Sequence, residues 1–238
     1  MKVEIWSDVV CPFCFIGKRQ FADALSRFEH RDDVEVRWRS FELDPSAPAV
    51  RTGDNVGRLA EKYGMSRADA QAAQHRVQAS AARVDLHLDF DRVRGGNTFD
   101  AHRLLHFALR HDRQDELEER LFAACFHEGR AVGDRDTVRA IAVEAGLPAD
   151  EVDAVLDSDD LATDVRADER EARALGISGV PFFVIDRAYG VSGAQGAETL
   201  LEALERAWSD SHPLTIVGAT PAAGSSEDAD CDDGSCPT

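Results

Sequence analysis

The chain has 238 residues, 43% of them hydrophobic, which is ample for a buried core. Its 27 basic against 45 acidic residues leave a formal net charge of −18, a balance that repels phosphate backbones and anionic bilayers and so excludes nucleic acid and membranes as expected partners. No window approaches the roughly 18 apolar residues of a membrane span, and residues 1–10 alternate like a strand instead of forming an export signal, so the expected location is the cytoplasm.

Residues 2–8, KVEIWSD, carry Val3 and Ile5 at period two and predict a strand. Residues 12–28 place Phe21, Leu25 and Phe28 at helical spacing, and residues 34–43 alternate again, with Val34, Val36 and Trp38 on one face and Arg37 and Arg39 on the other. A right-handed crossover makes those two strands parallel. Residues 44–55 break the pattern, and from there to about residue 175 the chain predicts helices, with stop and start signals at 63–66, 94–97, 127–129 and 145–150. VPFFVID (180–186) returns to strand character, YGVSG (189–193) adds a short strand across a tight turn, and residues 197–208 close with a helix. Residues 218–238 are rich in Gly, Ala, Ser, Pro and Asp and predict a flexible acidic tail. The expected organisation is a β-α-β half over 1–50, a helical insertion over 51–176, a β-β-α half over 177–208 and the tail over 209–238.

The five cysteines are too few for a disulfide scaffold, and in a reducing compartment paired cysteines do chemistry or bind metal. Cys11 and Cys14 frame Pro12 and Phe13 where the first strand meets the first helix. Unpaired backbone N–H groups and the helix dipole at that point favour a thiolate on Cys11, and Pro12 suits the first helical position. Cys14, one turn on, faces the same side and can close a disulfide, acting as the resolving thiol for a mixed disulfide. The plainer alternative is two buried structural thiols, which the strand-to-helix context disfavours. The second feature is SGVPFF (178–183): a proline opening such a strand often carries a cis peptide bond, which leaves the backbone of Val180 free to pair with an extended peptide.

CPFC after a first strand, a long helical insertion and GVPFFV opening a β-β-α half resemble the thioredoxin-fold proteins of the DsbA type, an α/β class. More narrowly, SDVVCPFCFIGK, NTFDAHRLLHFA (97–108) and ISGVPFFVIDRAYGVSGAQ (177–195) resemble the cytoplasmic FrnE-like branch, related to the 2-hydroxychromene-2-carboxylate isomerases, over residues 1–208. The resemblance implies that Cys11 is the attacking thiol, Cys14 the resolving one and Pro181 the cis-proline packed against them. It implies as partners proteins with disulfides or unfolded segments and a reductant such as glutathione or a thioredoxin system, with no cofactor beyond the redox-active cysteines. Strongly oxidising DsbA-type proteins usually carry a histidine where this chain has Phe13. Phe13 offers a thiolate neither charge nor hydrogen bond, so a moderate potential suited to isomerase or reductase work is expected. Pro12, Phe13, Val180, Asn97 and His102 are the candidate substrate-binding residues. Phe13 and Phe15 are expected at the surface, where apolar side chains would hold unfolded substrates.

Several residues have plainer explanations. Asn97 and Thr98 read first as a helix cap, His102 and His106 at i and i+4 as structural or pocket residues, and Cys125, among Leu121, Phe122 and Phe126, as a buried inert thiol. Lys18 lies at i+4 from Cys14 and Asp8 precedes Cys11 by three residues, and the sequence leaves open whether either reaches the sulfurs. In the tail, Cys231 and Cys236 bracket DDGS, where Gly234 permits a sharp turn, and the surrounding acids make both weak attacking thiols. Two roles stay open for this pair: an auxiliary relay or guard that trades electrons with Cys11 and Cys14, or unremarkable thiols in disordered polypeptide. The two pairs could jointly offer four thiolates to zinc, but redox chemistry already accounts for Cys11, and no metal is expected. The leading function is a thiol–disulfide oxidoreductase or isomerase. The alternatives are a glutathione-dependent isomerase of small aromatic metabolites, whose known members typically have serine at the Cys11 position, and a non-catalytic holdase.

Overall fold

A computed structural model describes residues 1–51 and 53–213. The tail pair Cys231 and Cys236 lies outside the described residues. Strands β1 (Lys2–Ser7), β2 (Glu35–Ser40), β3 (Phe182–Ile185) and β4 (Tyr189–Ser192) form one sheet in the order β2-β1-β3-β4. β1 runs parallel to β2, and the β1–β3 and β3–β4 pairs are antiparallel. Helix α1 (Pro12–Arg27) supplies the crossover between the parallel strands.

Alternation along the strands decides the layers. Val3, Ile5, Trp38, Phe183 and Ile185 point to one face, where Phe21, Ala24 and Phe28 of α1 meet Leu200, Leu204 and Ala207 of α9 (Ala197–Ser211). Trp6 and Val184 point to the other face and pack on Ala172 of α8 (Ala162–Ala174) and on Ile177. β1 is therefore covered on both sides, and even Glu4 and Ser7 are buried. Arg39, in register with Trp6, spans from Glu4 to Asp168 on that second face.

β2 is shorter than its sequence predicts. It stops at Ser40 instead of running to Leu43: its partner β1 ends at Ser7, and beyond that point the Leu43 amide donates to Asp8 Oδ2 at 2.7 Å in place of a ladder bond.

Between β2 and β3 lie α2 (Asn55–Tyr63), α3 (Arg67–Ala82), α4 (Phe99–Leu109), α5 (Gln114–Phe126), α6 (Arg135–Glu144), α7 (Ala149–Leu156) and α8. Gly64, at φ +63°, ends α2 in a left-handed turn, and the Ser66 hydroxyl caps α3. α2 and α3 bury little beyond Ala60, Ala70 and Ala81 and pair as an arm. α4 and α5 are the heart of the insertion, joining Leu104, Leu117, Leu121 and Cys125 in a core that also takes Cys11 and Cys14. Phe15 belongs to this core and not to the surface. It is fully buried and stacks on Phe122 with centroids 4.9 Å apart, because the fourth residue of α1 turns inward toward α5. Among the described residues, no helix is long and apolar enough to cross a membrane.

Candidate active site

Cys11 is the N-cap of α1, with extended backbone (φ −92°, ψ 113°) and Pro12 beginning the helix. Its amide donates to the Asp8 carbonyl at 2.9 Å, and its own carbonyl accepts from the Cys14 amide at 3.1 Å, so both cysteines hang on one turn. Both are free thiols. Cys11 is 4% exposed and Cys14 is wholly buried.

The loop before β3 closes the site. The Val180–Pro181 peptide bond is cis, and the Val180 carbonyl oxygen lies 3.6 Å from Cys11 Sγ. α1 can press against this loop because residue 17 is glycine: a Cβ there would sit 2.9 Å from Pro181 Cγ. A cavity of about 800 Å³ opens beside Cys11, lined by Pro12, Phe13 and Val180 on one side and by the α2–α3 arm on the other. The arm contributes the apolar side chains of Leu59, Tyr63 and Val77 together with the cations Arg58, Lys62 and Arg76, and Arg51 lines the same cavity.

Burial pushes the Cys14 thiol well above its usual range, and the neighbouring Cys11 pushes it further. The polar groups of Asp8 and Ser7 offset only part of this. Behind Ser7 lies a carboxyl: Ser7 Oγ donates to Glu118 Oε1 at 2.6 Å. The Asp8 carboxylate is 3.7 Å from His102 Nε2. Burial opposes a proton on His102, but Asp8, Glu118 and Glu42 outweigh it and raise the imidazole's pKa.

Two expectations change, those for His102 and Asn97. His102 does not line the cavity. It is buried, with its Nε2 3.7 Å from the Asp8 carboxylate. Asn97 does not line it either. Its Oδ1 accepts from the Phe99 amide and its Nδ2 donates to the Pro45 carbonyl, each at 3.0 Å, so it ties the start of α4 to the loop after β2, and Thr98 reaches the cavity instead. Lys18 pairs with Asp115 and lies 4.8 Å over the Trp38 ring, away from the sulfurs. The Asp8 carboxylate accepts from the Leu43 amide at 2.7 Å. Cys125 is wholly buried, and burial pushes its thiol up to about 12.

Two groups of residues went unnoticed in the sequence. Glu118 occupies the i−3 and i−4 positions relative to Leu121 and Phe122, within the apolar stripe of α5, a signal of a buried carboxyl. The cations of the arm carry no such signal, since a charged side chain on an amphipathic helix reads as a solvated face.

A helix-capping dithiol beside an X–cis-Pro bond invites comparison with known proteins, and the family model described as DSBA-like thioredoxin domain matches residues 2–205. The chain belongs to this family. A probable DsbA oxidoreductase from Streptomyces coelicolor, known from its crystal structure, is 48% identical, with a TM-score of 0.85 over 92% of this chain and 94% of that one. The Bacillus subtilis protein YwbO, described as uncharacterized, is 30% identical over 204 residues, 85% of this chain and 94% of its own. A 2-hydroxychromene-2-carboxylate isomerase shares this DSBA-like fold at a TM-score of 0.61 and 13% identity, covering 89% of this chain and 98% of that one.

Proposed function

We propose that the protein is a thiol–disulfide oxidoreductase and isomerase that acts on protein disulfides through Cys11 and Cys14. The observation that carries this reading is the pairing of Cys11, at the edge of a large cavity and 3.6 Å from the Val180 carbonyl, with Cys14 buried one turn behind it. The Cys11 thiolate attacks a substrate disulfide and forms a mixed disulfide, releasing one substrate thiolate. Cys14 then attacks the Cys11 sulfur, closing the Cys11–Cys14 disulfide and releasing the second thiolate. When another substrate thiol attacks the mixed disulfide first, the result is isomerisation.

Apolar side chains at the cavity mouth, Phe13 at 44% and Tyr63 at 61% exposure, suit unfolded substrate segments. The cations Arg51, Arg58, Lys62 and Arg76, in a chain of net charge −18, suit the carboxylates of glutathione as the reductant that restores the dithiol. A thioredoxin system is the alternative reductant. We place the protein in the cytoplasm, in the FrnE-like branch, with Cys231 and Cys236 as an auxiliary pair exchanging with Cys11. No metal enters this mechanism.

Reactivation of scrambled ribonuclease in a glutathione buffer tests the proposal. Wild type is expected to accelerate it and Cys11→Ser to lose the effect; full activity in Cys11→Ser refutes it. The cation-lined cavity also favours a second reading, a glutathione-dependent isomerase of small aromatic metabolites, which predicts turnover of such a substrate that survives Cys14→Ser. Suppression of aggregation that survives Cys11→Ser would mark a holdase role instead.

A further inference from the structure

The cavity beside Cys11 carries a charge opposite to that of the molecule around it. The chain has a net charge of −18, yet Arg58, Lys62 and Arg76 of the α2–α3 arm line this space, and Arg51 joins them from the loop before α2. On other surfaces basic side chains rest on acids, as Arg19 does on Glu119, Arg27 on Glu198 and Arg139 on Asp153. Lys62 and Arg76 differ. Among the described residues neither makes an ion pair, and Lys62 only overlies the Tyr63 ring, 5.6 Å from its centroid.

Two carboxylates also line the cavity, and both are engaged. Asp44 pairs with Arg51 and accepts from the Ser46 amide at 3.2 Å, and Asp8 accepts from the Leu43 amide at 2.7 Å. Arg51 is thereby matched within the molecule, and Lys62 and Arg76 are left without a counter-charge. The arm that carries them is tied down. Asn55 Nδ2 donates to the Phe90 and Val93 carbonyls at 2.6 and 2.9 Å, and Gln78 Nε2 donates to the Leu88 carbonyl at 2.8 Å, so α2 and α3 are each fastened to the segment before α4. Charges held in place cost a ligand less ordering than charges on a free loop.

We propose that the arm selects, among protein disulfides, those whose cysteine is flanked by acidic residues: the disulfide meets Cys11 while neighbouring carboxylates of the unfolded segment meet Lys62 and Arg76. The inference rests on the dithiol reading above and names the substrate class of the same site. A cavity of about 800 Å³ lies within the roughly 300–1,000 Å³ of pockets that enclose a ligand, which leaves room for side chains next to the bonded cysteine. Glutathione, as reductant, reaches the same cations only after the substrate has left.

The chain's overall charge works against this preference, since at long range it repels an acidic segment and attracts a basic one. A preference for acids therefore has to come from the local cations. Exposed pairs are individually weak and screened by salt, so the selection is severalfold and adds to the apolar contacts at the mouth.

Peptide disulfides of graded charge test the proposal. Identical unfolded peptides are joined in pairs by one disulfide, with aspartate, serine or lysine at the two positions on each side of the cysteine. Reduced full-length protein carrying Cys231→Ser and Cys236→Ser is mixed with each. One turnover oxidises Cys11 and Cys14 to their disulfide and releases two peptide thiols, and each rate is divided by that of dithiothreitol with the same peptide, so that intrinsic reactivity cancels. At pH 7.5 and low salt the aspartate peptide is expected to react about fivefold faster than the lysine peptide, and 0.5 M NaCl should level the two. Lys62→Glu with Arg76→Glu should invert the order. Arg170→Glu with Arg173→Glu, at exposed positions of α8 outside the cavity and with the same change in net charge, should leave it as in wild type. An aspartate peptide no faster than the lysine peptide, or a preference that survives Lys62→Glu with Arg76→Glu, overturns the proposal. If that variant does not fold, Lys62→Gln with Arg76→Gln decides, and an undiminished preference overturns it. Failure of the wild type to reduce even the serine peptide, or equal reduction by Cys11→Ser, refutes the dithiol reading itself and this inference with it.

Discussion

The sulfur of Cys11 and the carbonyl oxygen of Val180 lie 3.6 Å apart across 169 residues of sequence, so the N-terminus of α1 and the loop entering β3 form two walls of one site. Everything between them in the chain, β2 and the whole helical insertion, is arranged so that these walls meet and a cavity opens beside them. That arrangement makes specific demands on residues that take no part in the chemistry.

Gly17 is one of them. Alanine normally gains about 1 kcal/mol over glycine inside a helix, but here its methyl group would meet the Pro181 ring at 2.9 Å and the Phe183 ring at 3.3 Å. Neither ring is the free end of a flexible chain, and overpacking of this kind costs about 1–3 kcal/mol. Gly17→Ala is therefore expected to lose stability in urea unfolding and, by shifting Val180 away from Cys11, to slow insulin reduction. An equally stable and equally fast variant would contradict the packing account.

The charge network on the far side of β1 fixes the insertion to the sheet. Asp168 pairs with Arg39, accepts the Ser40 amide at 2.9 Å and lies 3.0 Å from His106 Nε2. Burial alone would raise its carboxyl, but His106, the Ser40 amide and Arg39 together hold it below the usual range. A carboxylate with a depressed folded-state pKa stabilises the fold above the ordinary carboxylate range, and that stabilisation disappears as pH falls through the lowered value. Asp168→Asn should cost about 3–5 kcal/mol at neutral pH and flatten the acid limb of the stability curve, as read by urea unfolding across pH.

Phe13 and Tyr63 project at the cavity mouth. Truncating either to alanine should remove roughly 1 kcal/mol of apolar contact with an unfolded segment, about fivefold in KM for a reduced-and-scrambled protein substrate. The rate with a small disulfide such as Ellman's reagent should not change. Equal effects on both substrates would show that these side chains shape the dithiol and not the substrate surface.

Much of this was legible in the sequence. Period-two strands at 2–8 and 180–186 fix the sheet, and CPFC at a strand-to-helix junction with GVPFF far downstream locates Cys11, Cys14 and Pro181. What escaped depends on tertiary neighbours. Phe15 shares a helix with the exposed Phe13, and only the approach of α5 buries it. His102 sits in a helix whose polar positions could face either water or the sheet, and the carboxylate of Asp8 drew it inward. β2 ends early because β1 ends at Ser7 and the Asp8 carboxylate takes the Leu43 amide, a competition that alternation along one strand does not register.

The division of labour between Cys11 and Cys14 is tested most directly by trapping. Cys14→Ser protein incubated with insulin and analysed by mass spectrometry without reductant should carry an insulin chain bonded to Cys11, released by dithiothreitol and absent from the Cys11→Ser variant. An adduct that persists in Cys11→Ser, or its absence from Cys14→Ser under conditions where wild type reduces insulin, would contradict the account.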